Sequence, residues 1–216
     1  MLKVCTLFKR KQGLSIVEYQ SYWRGGHPEF VRRLPGVRRY AQNHPLPETF
    51  DIDPPIYDGV VELYFDDSAA LKHLGTTQAY QDLNADEENF VDRSTIQLVF
   101  TEEHVLKDGA RPDDATRRIT FFRRAPGMSP EEFQERWLAE YADSVASSRD
   151  VIRYCACVPR LNGYRDGKEP AWDGIDMATF ANLEDARRDD HLSELEGLVS
   201  TLDLPRMYTR ENRVIG

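Results

Sequence analysis

The sequence repeats itself. Around residue 13 it reads Gly13-Leu14-Ser15-Ile16-Val17-Glu18-Tyr19, followed by Trp23, His27, Val37, Arg39 and Tyr40. Around residue 127 it reads Gly127-Met128-Ser129-Pro130-Glu131-Glu132-Phe133, followed by Trp137, Tyr141, Val151, Arg153 and Tyr154. Each pair is 114 positions apart without a gap, and Asp58-Gly59 and Phe65 match Asp173-Gly174 and Phe180 at an offset of 115. A fixed internal period marks a duplicated structural unit. The chain of 216 residues therefore divides into a first repeat at 1–106, a linker at 107–117 and a second, degenerate repeat at 118–216.

Both halves carry the same order of elements. Leu2 to Lys9 reads as a half-buried strand. Ser15 with Glu18, and Ser129 with Glu132, form capping-box patterns, and Pro130 suits a first helical position. Ile16, Tyr19, Trp23, His27, Phe30 and Leu34 recur at steps of three and four, which predicts one helix face ended by Pro35-Gly36. Val37 to His44 reads as a second strand, and the proline-rich segment from Pro45 to Tyr57 as a loop. Gly59 to Phe65 predicts a third strand, Asp67 to Leu83 a second helix, and Thr95 to Leu106 a fourth strand; in the second half the last strand falls near Met207 to Ile215. This is βαββαβ, the ferredoxin-like unit. Such a sheet has helices on one face only, so two of them in one chain can cover each other. The expected fold class is α+β, with two ferredoxin-like repeats packed sheet to sheet as one closed or nearly closed barrel.

Composition narrows the partners. Lys and Arg total 28 against 37 Asp and Glu, a net charge of −9, which argues against nucleic acid because phosphate binding needs clustered positive charge. No stretch approaches the ~18 apolar residues of a membrane span, and the N-terminus has no extended apolar region of a signal peptide. Cys5, Cys155 and Cys157 cannot build a disulfide framework, so reduced thiols in the cytoplasm are expected.

The run Tyr22-Trp23-x-x-x-His27, Leu34-Pro35-Gly36-Val37, Tyr40 and Asn43 resembles the EthD family of the dimeric α+β barrel superfamily, and Phe65-Asp66-Asp67-Ser68 and Asp86-x-x-x-Phe90-Val91-Asp92 fit the same family. The resemblance covers nearly all of the first half; the second keeps Trp137 and Tyr154 but not the His or the Leu-Pro-Gly stop. It implies a barrel that relatives usually build from two chains, and small, mostly cofactor-free chemistry on aromatic, lactone or polyketide-like substrates. Within this superfamily fold alone does not settle function.

Among residues that carry chemistry, His27 leads, since an imidazole exchanges protons near pH 7. The competing account is a core histidine bonded to a neighbouring carbonyl. Tyr40 or Asn43 would orient a carbonyl, although their opposite strand parity argues against one shared pocket. Tyr19, Trp23, Phe30 and Tyr64 would supply the walls of a substrate site. His44, beside Pro45, reads as solvent-facing, Glu62 as part of an exposed strand face, and the Arg pairs, Arg117-Arg118 included, as mostly solvated. No phosphate-cradling glycine loop or nucleophile elbow is present, and Cys155-x-Cys157 has no partner pair of zinc-binding spacing. The expected cofactor set is accordingly none, metal included. The favoured function is a cofactor-independent lyase or isomerase (dehydration, decarboxylation or cyclisation) with a small-molecule substrate and His27 as general acid/base; a homodimer is left open. The alternatives are a cofactor-free or haem-dependent monooxygenase of the same fold, and a non-catalytic binding protein for haem or a hydrophobic metabolite. Tyr141 stands where His27 does in the repeat, so one working site, in the first half, is expected.

Overall fold

The computed structural model describes residues 1–216. Its strands are β1 (Leu2–Arg10), β2 (Arg39–Pro45), β3 (Gly59–Phe65), β4 (Val91–Lys107), β5 (Thr116–Phe122), β6 (Val151–Pro159), β7 (Gly174–Phe180) and β8 (Arg206–Ile215). They close into one antiparallel barrel in the order β1-β3-β2-β8-β5-β7-β6-β4. Each half contributes a four-stranded sheet, β4-β1-β3-β2 and β8-β5-β7-β6. The two sheets are joined edge to edge, and side chains of both meet in the barrel interior. Pairing of β2 with β8 and of β4 with β6 makes the seams, for example Asn43 opposite Glu211 and Val105 opposite Cys155. Closure leaves no free edge strand.

The helices lie outside: α1 (Ile16–Gly25), α2 (Pro28–Val31), α3 (Ser68–Leu74) and α4 (Gln78–Glu87) on the first sheet, and α5 (Pro130–Arg136), α6 (Asp143–Ser147) and α7 (Leu183–Arg188) on the second. Both helices expected in the first half are broken. The His27 amide reaches back five residues to the Tyr22 carbonyl, and Pro28 has no amide to continue the ladder, so α1 ends and α2 begins one turn later. The second helix divides at Gly75, and Thr77 caps α4. At the matching place in the second half, Trp137–Ala142 winds as a π-helix. Ser15 accepts from the Glu18 amide and Glu18 accepts from the Ser15 amide, the full capping box; Ser129 makes only the first of these bonds.

The repeat has a structural cause. A Cβ on Gly59 would stand 2.8 Å from the Trp23 ring and 2.6 Å from the Tyr19 hydroxyl, and one on Gly174 would stand 3.1 Å from Trp137. Glycine therefore lets each Trp lie directly on the start of a strand. Asp58 and Asp173 each take an Arg side chain, Arg10 and Arg124, and accept from that residue's amide as well.

Strand alternation sorts the side chains into a barrel interior and two helix-covered layers. The interior is apolar towards one end, around Leu7, Val99, Ile119 and Phe121. Towards the other end it holds charge. Glu62 bonds Lys3 (2.7 Å) and Arg117, and Asn43 donates to Glu62 (2.9 Å). Glu62 is 1% exposed, not on an open strand face, and Arg117 and Arg118 are buried as well. Lys3 and Arg117 occupy equivalent repeat positions, so a cation from each half holds one carboxylate. Burial works against the Glu62 charge, but Arg117 and Lys3 hold its carboxyl well below the usual range.

Candidate functional site

The first-half helices and sheet enclose a small cavity of about 40 Å³. Trp23, His27, Tyr40 and Glu87 bring polar groups to it, and Phe8, Leu83, Phe90 and other apolar side chains complete it. The break after α1 turns the His27 ring inward and down to α4. There its Nδ1 lies 2.8 Å from Asp86 Oδ2, while the Tyr22 hydroxyl donates to Asp86 Oδ1. Nε2 makes no hydrogen bond within the chain. Burial lowers the His27 pKa and Asp86 partly offsets this, so the ring is neutral at pH 7. A carboxylate at Nδ1 fixes that nitrogen as the donor and leaves Nε2 as the basic one.

Two more polar atoms point to the same place. The Tyr40 hydroxyl and the Trp23 indole N–H are buried without a well-formed hydrogen bond; burial raises the pKa of the phenol, and Gln42 and Trp23 stand near enough to pull it down against burial. Such groups are costly unless a ligand or water meets them. Glu87, on the cavity wall, is pushed up to about 7 by burial, against the pull of Arg93 at 3.1 Å. A carboxyl near 7 on the same cavity as a neutral imidazole supplies a second group able to exchange protons at neutral pH.

The structure divides the residues expected to form one site. His27, Tyr40 and Trp23 meet at the cavity. Tyr19 stands behind, its ring stacked on Trp23 at 5.5 Å, and Phe30 is half-buried with the Arg33 guanidinium over its ring. Neither lines the cavity. Asn43 and Tyr64 point the other way, into the barrel, where Asn43 serves Glu62 and the Tyr64 hydroxyl donates to Glu103 at 2.7 Å. Strand parity is the reason: Tyr40 and Asn43 are three residues apart on β2. His44 is not at the solvent edge; it is 1% exposed and packs on Trp23 with ring centroids 4.2 Å apart. Asp86 and Glu87 did not stand out in the sequence by periodicity, although Asp86 opens one of the stretches that fit the EthD family.

The second half has Tyr141 where the first has His27, and its own His–carboxylate pair, His191 with Asp189 at 3.2 Å, stands elsewhere, with Ser144 at 2.9 Å from the other ring nitrogen. Tyr141 is buried, and Tyr154 donates to Asp176 Oδ2 at 3.1 Å. Asp176 also accepts from the Thr120 amide, and Arg118 lies among these groups, bonded to Asp189. Burial raises the Asp176 pKa and pushes that of Tyr141 well up, so Tyr141 is no base at neutral pH.

Comparison with known proteins agrees with this architecture. The family model for the EthD domain matches residues 11–94, which include α1 to α4 and both His27 and Asp86. No curated protein matches the sequence. A solved structure described as an anthrone oxidase-like protein superimposes with a TM-score of 0.67 at 12% identity, over 99% of this chain and 93% of that one. A protein from Fusobacterium nucleatum subsp. nucleatum, described provisionally as a monooxygenase, gives 0.63 at 10% identity, over 98% and 93%. One so described from Lactobacillus acidophilus gives 0.55 at 13%, over 99% and 93%. At these identities the likeness is one of fold.

Proposed function

We propose that this chain, whose first half carries an EthD domain, is a cofactor-independent lyase or isomerase acting by proton transfer on a small, largely apolar substrate. One observation carries the reading: His27 is held by Asp86 at Nδ1 with Nε2 unpaired, on a cavity where the Tyr40 hydroxyl also lacks a well-formed hydrogen bond. His27 Nε2 takes a proton from a carbon or hydroxyl acid of the substrate, and the Tyr40 hydroxyl donates to the oxygen that gains charge. Glu87 returns or accepts the second proton. Phe8, Phe90 and Trp23 keep the site dry and suit an aromatic or lactone-like ligand.

The enclosed space of about 40 Å³ is far below the roughly 300–1,000 Å³ of a small-molecule pocket. A substrate therefore enters by parting α2 from α4, the seam that His27 and Asp86 close. The test is solvent-deuterium incorporation into a panel of phenolic, lactone and β-keto acids, run with an oxygen electrode. Exchange or turnover without oxygen uptake, lost in His27→Gln, supports the reading. Turnover only with stoichiometric oxygen uptake would replace it by a monooxygenase reaction begun by the same base.

A further inference from the structure

The chain has three cysteines, 5, 155 and 157, and the fold brings all of them into the barrel interior. Cys5 comes from β1 of the first half, and Cys155 and Cys157 from β6 of the second. Glu103 on β4, the strand between β1 and β6, faces the last two. The two Sγ atoms and a Glu103 carboxylate oxygen all lie within 4.8 Å of one another.

We propose that Cys155, Cys157 and Glu103 form a binding site for a thiophilic divalent cation of the Zn²⁺ class. Three atoms that close have a common point within about 2.8 Å of each, so contraction by roughly half an ångström per ligand reaches zinc–thiolate bonding distance, about 2.3 Å. The carboxylate is already oriented for the task. Glu103 Oε1 receives both Lys3 Nζ and the Tyr64 hydroxyl, each at 2.7 Å, while Oε2 makes no hydrogen bond. Second-shell donors of this kind fix a ligand's direction. Charge also balances. Lys3 and Arg117 face Glu62, Glu103 and Glu211 in the interior, a sum of −1. A divalent ion that replaces the two thiol protons leaves that sum unchanged, with two protons released and no electron transferred. Glu103 alone of the three also borders an open surface cleft of about 410 Å³, with Glu102, His104 and Arg160, while both cysteines are buried. The cleft side is where a water completes a four-coordinate sphere.

The site stands on the far side of the sheet from His27, so it is tested apart from the proposed reaction. The chain is produced in zinc-supplemented medium and dialysed, and metal per chain is measured by mass spectrometry. Co²⁺ titration then reports thiolate ligation through its charge-transfer absorption. The expected result is about one Zn²⁺ per chain, with affinity at least tenfold weaker in Cys155→Ala, Cys157→Ala and Glu103→Gln, and unchanged in His27→Gln. Glu103→Gln alters a carboxylate near the cleft and keeps the outcome decisive if a cysteine variant does not fold. Wild-type protein that binds no metal while all three thiols titrate as free after denaturation would overturn the proposal. An intact mass lighter by two hydrogens would overturn it too, by showing that the thiols pair with each other.

Discussion

Burying His44 neutral makes the fold acid-sensitive by an amount that can be worked out. The ring packs on Trp23, its Nε2 meets Gln42 at 3.1 Å, and Nδ1 has no partner. Burial, helped by Arg24, lowers its pKa from 6.5 to about 3. In the unfolded chain the imidazole takes up a proton as pH falls through about 6.5; in the fold it does not do so until about 3. His44 therefore costs nothing above the unfolded value, and stability is lost progressively as pH falls below it. Between pH 7 and pH 5 the loss from this residue is about 2 kcal/mol, at 1.36 kcal/mol per pH unit once the unfolded form is protonated. His27, whose pKa is also lowered by burial, acts in the same direction. Urea unfolding at pH 7, 6 and 5 measures the effect, and His44→Leu isolates it. The variant is less stable at pH 7 through lost packing, but its drop between pH 7 and 5 should be smaller than the wild type's by about 2 kcal/mol. An equal drop in both proteins, or a native His44 titration by NMR near 6.5, would refute the reasoning.

Asp86→Asn should keep the fold and lower turnover by roughly 10²–10⁴-fold, because an amide lets His27 adopt the wrong tautomer; the pH profile of kcat/KM checks it. Glu62→Ala removes the shared partner of Lys3 and Arg117 and should cost about 3–5 kcal/mol in denaturant unfolding, the usual result of stranding a buried charge. Gly59→Ala should destabilise by more than about 1 kcal/mol, since its Cβ would meet Trp23, Tyr19 and Phe8 below 3 Å; thermal unfolding reads this. Asp176 holds its proton to higher pH in the fold than when unfolded, so the native state loses stability as pH rises through about 4 towards the raised value; Asp176→Asn should remove that loss in the same unfolding series.

The repeat, the element order and the closed architecture were legible because they rest on local signals: capping residues, strand lengths, and Gly and Trp at fixed offsets. Side-chain parity on β2 was legible too, and it separates Tyr40 from Asn43. What the sequence hid was the environment set by barrel closure. Glu62, Arg117 and Arg118 look like surface charges along the chain, yet β2–β8 and β4–β6 pairing turns the first two into an interior ion cluster, and Arg118 sinks beneath the helices of the second half. His44 next to a proline resembles a loop edge until Trp23 is laid over it. Asp86 and Glu87 sit at the end of α4, about sixty residues from His27, and only the packing of α2 on α4 shows which of the chain's many carboxylates is the partner. The three cysteines likewise meet only once both halves are folded together.

The central claim is one proton-transfer site, in the first half, centred on His27. The most direct test is solvent-deuterium exchange into whichever acid of the panel turns over, compared between wild type, His27→Gln and Tyr141→Phe, with circular dichroism confirming that each is folded. Exchange should fall roughly 10²–10⁴-fold in His27→Gln and stay near wild type in Tyr141→Phe. Loss in Tyr141→Phe with His27→Gln unaffected would contradict it and move the chemistry to the second half.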